Sequence, residues 1–429
     1  MRRLAAIVAL TLVAGPLSAQ SLKDKLVDLF RFGSAGCTDP VCLAVTTGHG
    51  DHYNPAVREG SNNLIGFLTN AIGVSISNIP LSAASGGAIW GRSSQGLPIR
   101  TQTSSGPIFA ERAQTLGKGR ALFATTFTRL DYRMLRGVPL DGLVLTFPHQ
   151  DVNNDGLGTP SFESDVIEVQ TRLNVNVSAM TPVLSYGVTD RIDLSVAVPL
   201  IHTSIGGSAE AQVIPFSNPT PHSFGDGTTP LLRATSAVSG TATGIGDVAV
   251  RLKAQAVRNS RGAFALLADV RLPTGKDEDF LGAGGTSYSV LGVGSLRRGN
   301  FSPHVNAGYI RRGGEFQNDA LLATIGFDHL MGRGATLAVE VITSWQLGDS
   351  RLAPPPTVAV DASVGSASSV RIVRQTNLPD RRDNVALGSI GAKLQIGPGA
   401  NLVTNALVPL NRGGLQPNVA WSVGVEYSF

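Results

Sequence analysis

One stretch of the sequence combines residue types and a spacing that suit a calcium ion. Residues 151–156 read Asp-Val-Asn-Asn-Asp-Gly, so oxygen donors stand at the first, third and fifth positions and glycine at the sixth. This order matches the beginning of a calcium-binding loop, because Ca²⁺ prefers oxygen ligands. The twelfth position carries Phe162 instead of the usual glutamate, and Glu163 follows one residue late. Two interpretations stay open: an ordinary Asx-rich turn, and a calcium site formed by Asp151, Asn153 and Asp155.

The two cysteines of the chain, Cys37 and Cys42, lie close together in the sequence Cys-Thr-Asp-Pro-Val-Cys. In an exported protein such a pair is expected to form a disulfide. A metal site is the weaker alternative, since two thiolates alone cannot fill a tetrahedral shell. The serines and histidines are scattered and form no G-x-S-x-G elbow, so the sequence does not predict an enzyme.

Charged side chains recur at alternate positions of several β-type segments, opposite a row of apolar residues. A period of two places the two sets on opposite faces of a strand. We expect the charged set to point inward, where it either pairs internally and holds another segment or lines a wet path. The residues predicted to face this lumen are Glu168, Arg172, Asp193, Asp247, Arg251, Lys253, Asp269, Arg271, Glu340 and Glu426.

The elements that position these residues are predicted strands, and the last of them is the clearest. From Val419 to Phe429, valine and aromatic residues share one face, while small or charged residues share the other. An apolar outer face with aromatics near its end and a small, polar inner face suits a membrane β-barrel. Alternation predicts twelve strands, near residues 120–133, 166–187, 192–204, 245–258, 263–274, 286–298, 301–312, 318–330, 335–347, 383–396, 400–411 and 416–429.

The connections between these strands sort by length. Those at 134–165, 205–244 and 348–382 are long, and those at 188–191, 259–262, 299–300, 331–334 and 397–399 are tight turns. With the C-terminus in the periplasm, every one of these tight turns lies at the periplasmic end, as in bacterial barrels. Charged residues make up only 15% of the chain, against about 25% in ordinary soluble proteins. Both observations favour a barrel over a soluble β-sandwich.

The N-terminal part has a different pattern. Arg2 and Arg3 precede an apolar run and small residues, which predicts a signal peptide over 1–20 that is removed on export. No later run is long and apolar enough for a transmembrane helix. Residues 21–118 contain two helical patterns and are predicted to form a plug, with the barrel covering 119–429. The exported chain is nearly neutral, which argues against a nucleic-acid partner.

Two prolines interrupt neighbouring predicted strands near the same height. Pro182 and Pro199 flank the turn at 188–191. Proline removes a donor from the hydrogen-bond ladder, so two of them in one seam would weaken the wall. The alternatives are a lateral opening for a hydrophobic solute and two ordinary bulges.

Several short motifs resemble a known family. They are the stretches 106–119 and 184–200, Gly244-Ile-Gly-Asp-Val and Leu272-Pro-Thr-Gly-Lys. They resemble the outer-membrane proteins of the phenol-degradation meta-pathway family, relatives of the long-chain fatty-acid transporters, over about residues 106–429. The resemblance implies a channel for small hydrophobic compounds with an N-terminal hatch. It also implies fourteen strands, in which case two would lie within 82–104 and 136–148.

The sequence thus predicts an all-β, antiparallel transmembrane barrel of twelve or fourteen strands with a partly helical N-terminal plug. Its expected place is the outer membrane of a Gram-negative-type bacterium, and its expected function is passive passage of small hydrophobic or aromatic molecules. The alternative is a structural or adhesive barrel that acts through its long outer loops. Expected partners are membrane lipid, the solute and, as the resemblance implies for the terminal aromatic Phe429, the barrel-assembly machinery.

Overall fold

The structure is a computed structural model of the chain. It describes residues 20–32, 40–43, 53, 59–77, 90–92, 98–100, 104–159, 161–216, 222–225, 229–332, 334–364 and 366–429. The predicted signal peptide and Cys37 lie outside these residues. Cys42 is disulfide-bonded.

Two α-helices precede the sheet: α1 spans Leu22–Asp28 and α2 spans Glu59–Ser77. Ser21 begins α1 because its hydroxyl accepts the Asp24 N–H, which satisfies one of the free donors of the first turn. Two short 3₁₀ helices follow later, at Ser161–Ser164 and Asp277–Asp279.

The described part of the chain contains twenty-one strands, most of them in one sheet. They are β1 Trp90–Arg92, β2 Pro98–Arg100, β3 Ala121–Leu135, β4 Val138–Pro139, β5 Leu143–Pro148, β6 Val166–Gly187, β7 Ile192–Ala197, β8 Leu200–Ile214, β9 Arg233–Ile245, β10 Val248–Arg258, β11 Gly262–Leu272, β12 Ser287–Leu296, β13 Phe301–Arg312, β14 Ala320–Met331, β15 Ala335–Gln346, β16 Val358–Asp361, β17 Val370–Val373, β18 Val385–Gly397, β19 Ala400–Pro409, β20 Leu415–Pro417 and β21 Ala420–Ser428.

The sheet closes into an antiparallel barrel of twelve strands, which confirms the smaller predicted number. β7 with β8, β9 with β10, and β20 with β21 each make one interrupted barrel strand. β21 pairs with β3 and closes the cylinder. The segments considered for two further strands do not cross the wall. β1 and β2 form a separate hairpin, while β4 and β5 only extend the sheet beside β3 and β6.

One predicted connection is wrong. Residues 205–244 were expected to form a long loop, but β8 and β9 continue through most of it and pair from Leu200↔Ile245 to Gln212↔Arg233. Between Arg233 and Ile245, the outer face of β9 carries only threonine, alanine and serine, without large apolar residues. The pattern of a lipid-facing strand is therefore missing there, although the backbone still completes the ladder.

The outer surface of the barrel carries an apolar belt between two rows of aromatic side chains. Trp421 on β21 is 66% exposed and Ile325 on β14 is 60% exposed. Aromatic rows of this kind flank the lipid-facing band of outer-membrane barrels. The row at the end with the tight turns comprises Phe123, Tyr186, Phe264, Phe301 and Tyr427, and the opposite row comprises Tyr288, Tyr309, Trp345 and Trp421.

On one side of the barrel, the wall extends beyond the apolar belt. In this part of the wall the inner face is apolar and the outer face is polar. Val169, Leu173 and Val175 of β6 are buried inside, in one apolar cluster with residues of α1 and α2. At Gly240 of β9 an added Cβ would lie 2.8 Å from Leu22 Cδ2, so only glycine lets α1 approach this closely.

The prediction that they face the lumen is therefore wrong for two residues. Glu168 and Arg172 lie on the same face of β6 as the exposed Met180 and Leu184, which is the outer face. The register was assigned by assuming that the apolar face meets lipid. Beyond the belt, the apolar face instead meets the helices inside, and the polar face meets water.

Candidate functional site

The lumen is occupied by residues 104–118, which follow the inner face of the wall. Arg112 Nη2 lies 3.0 Å from Asp328 Oδ2, and both side chains are almost completely buried. On β15, Glu340 accepts the N–H groups of Phe109 and Ala110 at 2.9 and 2.8 Å. The charges of Asp328 and Glu340 are expected to strengthen these hydrogen bonds, because both carboxylates lie in sites with little water.

A row of alternating charges joins this segment to the neighbouring strands. Arg251 of β10 lies between Glu111 and Asp269, at 3.3 and 2.6 Å. Lys253, two residues further on the same inner face, lies 3.3 Å from Asp193 and donates to Gln114 O. Since each charge has a partner of opposite sign, the row can remain buried.

Two more groups extend this pairing around the lumen. His304 lies between Asp328 and Glu340, with its nitrogens 3.5 and 3.3 Å from their carboxylates. Near the tight-turn end, Lys393 of β18 lies 2.6 Å from Glu426 of β21. Side-chain ion pairs thus connect strands of the lumen wall that are far apart in sequence.

The remaining predicted lumen residues divide into two groups. Asp193, Arg251, Lys253, Asp269, Glu340 and Glu426 are buried on the inner face and have the charged partners described above. Asp247 and Arg271 are half-buried. Asp247 accepts the N–H groups of Gly275 and Ala283, so it holds an outer connection in place. Arg271 lies at the edge of a cavity.

That cavity, of about 240 Å³, lies between the segment 104–118 and the outer end of the barrel. Much of its wall is apolar, and this part includes Leu130, Leu322, Ile342, Leu387 and Leu407.

The opposite part of the cavity wall is charged and lies against the charge row. Arg251, Arg271 and Arg312 line it, together with Glu111 and Asp269. The Nε groups of Arg271 and Arg312 are buried without a hydrogen bond, and Arg271 Nε lies 3.6 Å from Asp269 Oδ1. A buried donor left unpaired costs about 1–3 kcal/mol, so these two groups would favour a ligand with an acceptor oxygen.

The two prolines singled out in the sequence lie on neighbouring strands of the wall, and Pro199 lines a smaller cavity. This cavity, of about 50 Å³, is lined by Pro199, Asp247 and Arg271 among others. Pro182 and Pro199 still accept backbone hydrogen bonds from Val198 and Gly246, at 3.0 and 2.7 Å. The wall is therefore continuous here, although both β7–β8 and β9–β10 are interrupted at this height.

Several residues of the lumen were missed by the sequence analysis. Glu111 and Arg112 lie in a segment without periodicity, and His304 and Asp328 lie on strands whose alternation is weak. An inward charge on β13 or β14 could have been found from the parity of the flanking exposed residues. The pairing of Arg112 with Asp328 could not, because it depends on how the segment enters the barrel.

The predicted calcium residues are brought partly together. Ligand atoms of Asp151, Asp155 and Glu163 lie within 4.8 Å of one another, while Asn153 is exposed beside them. This group belongs to the outer connection between β5 and β6, away from the lumen.

The fold and its apolar belt define an integral protein of the bacterial outer membrane. A closed barrel satisfies every backbone group across the lipid, and the belt supplies the surface that lipid covers. No helix in the described part of the chain is both long and apolar enough to cross a membrane.

The family model described as "Putative MetA-pathway of phenol degradation" matches residues 153–371, just over half of the chain. The chain belongs to this family. No match to a curated protein was found.

Three solved structures show a distant similarity to this chain. An outer membrane channel from Pseudomonas putida is 12% identical, with 74% of this chain and 98% of that one covered and a TM-score of 0.44. A FadL homologue from Pseudomonas aeruginosa is 12% identical over 72% and 89%, with a TM-score of 0.29. The toluene transporter TbuX of Ralstonia pickettii is 11% identical over 73% and 90%, with a TM-score of 0.26. These similarities are too low to carry a function from those proteins to this one.

Proposed function

We propose that the protein is an outer-membrane channel for the passive entry of small, largely hydrophobic molecules. The observation that supports this most directly is the apolar cavity of about 240 Å³ inside the barrel. For comparison, a dry cavity of about 150 Å³ suffices to bind benzene. The family description, which names phenol degradation, favours an aromatic solute.

The cavity wall suggests how such a solute would be held. Leu322, Ile342 and Leu407 offer an apolar surface to the ring. On the opposite side, the Nε groups of Arg271 and Arg312, which make no hydrogen bond, could donate to a hydroxyl or carboxylate oxygen. A phenol-like molecule, with one apolar body and one acceptor, matches both surfaces.

We propose that residues 21–118 act as the plug of this channel. In the described residues, α1 and α2 pack inside the raised wall, and residues 104–118 are tied to the inner face by Asp193, Asp328 and Glu340. A contact of Phe429 with the insertion machinery stays a prediction from the resemblance.

Filling the cavity should slow uptake. Leu322→Trp places an indole in the cavity, whereas Ile325→Trp, on the lipid face of the same strand, leaves the lumen unchanged. We expect Leu322→Trp to reduce the uptake of labelled phenol by about tenfold, as the loss of ~1.4 kcal/mol of binding would. Uptake is measured in cells that lack the chromosomal copy and carry either variant. Equal uptake by the two variants would contradict the proposed path.

The proline seam provides a candidate exit into the membrane. We propose that solute leaves the lumen beside Pro182 and Pro199, because Pro199 lines the smaller cavity, which shares Phe109 and Arg271 with the larger one. Replacing both prolines by valine restores two ladder donors and should stiffen the seam. Uptake of a hydrophobic solute should then fall severalfold. Pro303→Val, on β13, is the control. Unchanged uptake in the double variant would favour two ordinary bulges.

A second candidate function has some support at the outer end. The hairpin β16–β17 and its connection expose Val364, Val370 and Ile372, each more than 60% accessible. Exposed apolar side chains of this kind favour a partner protein, as in an adhesive barrel. Liposome swelling separates the two functions: a channel admits solute without any partner, and an adhesive barrel does not.

A further inference from the structure

Three carboxylates converge in the outer connection that joins β5 to β6. Asp151 and Asp155 belong to the stretch 151–156, and Glu163 belongs to the 3₁₀ helix Ser161–Ser164. Each contributes an oxygen to a group in which all three oxygens lie within 4.8 Å of one another. Oxygens bound to one Ca²⁺ lie about 2.3–2.6 Å from the ion, so they can be at most about 5 Å apart. The observed spacing fits a single coordination sphere.

Glu163 shows that the group is more than an exposed acidic turn. Its side chain is completely buried. Oε1 accepts the Val152 N–H at 2.8 Å, and Oε2 is buried without a hydrogen-bond partner. An unpaired buried carboxylate oxygen is costly. A cation between the three residues would remove this cost. A carboxylate in an exposed turn would have no such cost, because water solvates it.

The charges around Glu163 point to the same ligand. Three negative groups facing one another repel unless a cation or a proton lies between them.

We propose that Asp151, Asp155 and Glu163 bind a calcium ion at the outer end of the barrel, with Asn153 as a further oxygen donor. The one-residue displacement of Glu163 from the usual twelfth position is compensated by the 3₁₀ helix, which turns its side chain back toward Asp151. Calcium suits this set better than magnesium, because Mg²⁺ demands near-ideal octahedral geometry and gives up its water reluctantly.

Calcium would stabilise the contact of this connection with the rest of the outer surface. Asp361 of β16 donates its N–H to Leu157 O at 2.7 Å, so residues 151–163 already touch the β16–β17 hairpin. Leu157 also packs with Val358 and Val360 of that hairpin. Ion binding would fix the backbone on one side of this contact and leave the lumen unchanged. The proposal therefore does not depend on the channel function.

The test is calorimetric titration of the full-length protein in detergent, after chelator treatment, with CaCl₂ and separately with MgCl₂. We expect one calcium site in the wild type and a much weaker response to magnesium. Glu163→Gln keeps the size of the side chain and removes the charge. It should weaken binding by at least about tenfold, because even indirect partners of metal ligands contribute ~10–100-fold. Asp141→Asn, in another exposed outer turn, should bind as the wild type does.

Two further measurements check that each variant folds and that calcium protects the outer connection. Heat-dependent migration on gels shows that each variant still forms the barrel. Limited proteolysis of the outer connection should be slowed by calcium in the wild type and in Asp141→Asn, but not in Glu163→Gln. Absence of calcium heat in the wild type, equal binding by Glu163→Gln, or equal affinity for magnesium would each overturn the proposal.

Discussion

Replacing Glu340 by alanine should release residues 104–118 from the wall and open the lumen. The Glu340 side chain is completely buried, accepts the Phe109 and Ala110 N–H groups, and contacts His304. Removing a buried, hydrogen-bonded charge leaves its partners uncompensated and costs about 3–5 kcal/mol. A loss of that size raises the population of the released segment more than about a hundredfold.

Liposome swelling with a small hydrophilic sugar measures this opening. The wild-type barrel should admit the sugar slowly, and Glu340→Ala should admit it severalfold faster. Glu340→Gln retains an acceptor oxygen and should be intermediate. Glu315→Ala, in an exposed turn, is the matched control and should behave as the wild type does. Equal swelling rates for Glu340→Ala and the wild type would show that the other contacts hold the segment without Glu340.

The second large effect is expected where the outer connections meet. Arg136 is completely buried, and its Nε and Nη2 donate to the two carboxylate oxygens of Asp383 at 2.9 and 2.8 Å. Nη2 also donates to Leu352 O at 2.7 Å, and the guanidinium lies 5.1 Å from the Phe67 ring. This one side chain therefore joins the turn after β3, the 347–384 connection and α2.

Arg136→Ala should lower the free energy of unfolding by about 3–5 kcal/mol, because Asp383 is left as a buried, unpaired charge. Arg136→Lys keeps the charge but loses the two-pronged bond, so its loss should be smaller. Urea unfolding in detergent micelles measures both.

Arg233→Ala is the control for that experiment. Arg233 pairs with Glu210 on the surface, where both side chains are at least half exposed. Exposed pairs contribute only about 0–1 kcal/mol. A loss for Arg136→Ala no larger than the loss for Arg233→Ala would contradict a structural role for the buried pair.

Local pattern was sufficient for most of the wall. Strands such as β11, β15 and β21 have lipid on one face and a filled lumen on the other, so a period of two in the sequence reports their direction and their faces. The tight turns likewise lie at one end because each connects neighbouring strands. The number of strands follows from these features, since antiparallel neighbours along the chain pair directly.

The same reasoning failed where the environment of a face changed. Glu168 and Arg172 were assigned to the lumen because apolar Val169 and Leu173 were expected to meet lipid. In the structure these apolar residues meet α1 and α2 instead. β9 was missed for a related reason, since its outer face needs no large apolar side chains beyond the belt.

The sequence by itself determined most of the strands, their direction and the membrane-facing belt, because these depend on residues one or two positions apart. Only the tertiary structure decided which charged residues form ion pairs with one another. Glu111 with Arg251 and Arg112 with Asp328 are separated by long stretches of chain, and both pairings require a closed barrel with its N-terminal segment inside. The pairing of Arg136 with Asp383 requires two distant outer connections to meet. The position of Glu163 beside Asp151 is not evident from the spacing of oxygen donors either, and Glu163 lies in the 3₁₀ helix Ser161–Ser164.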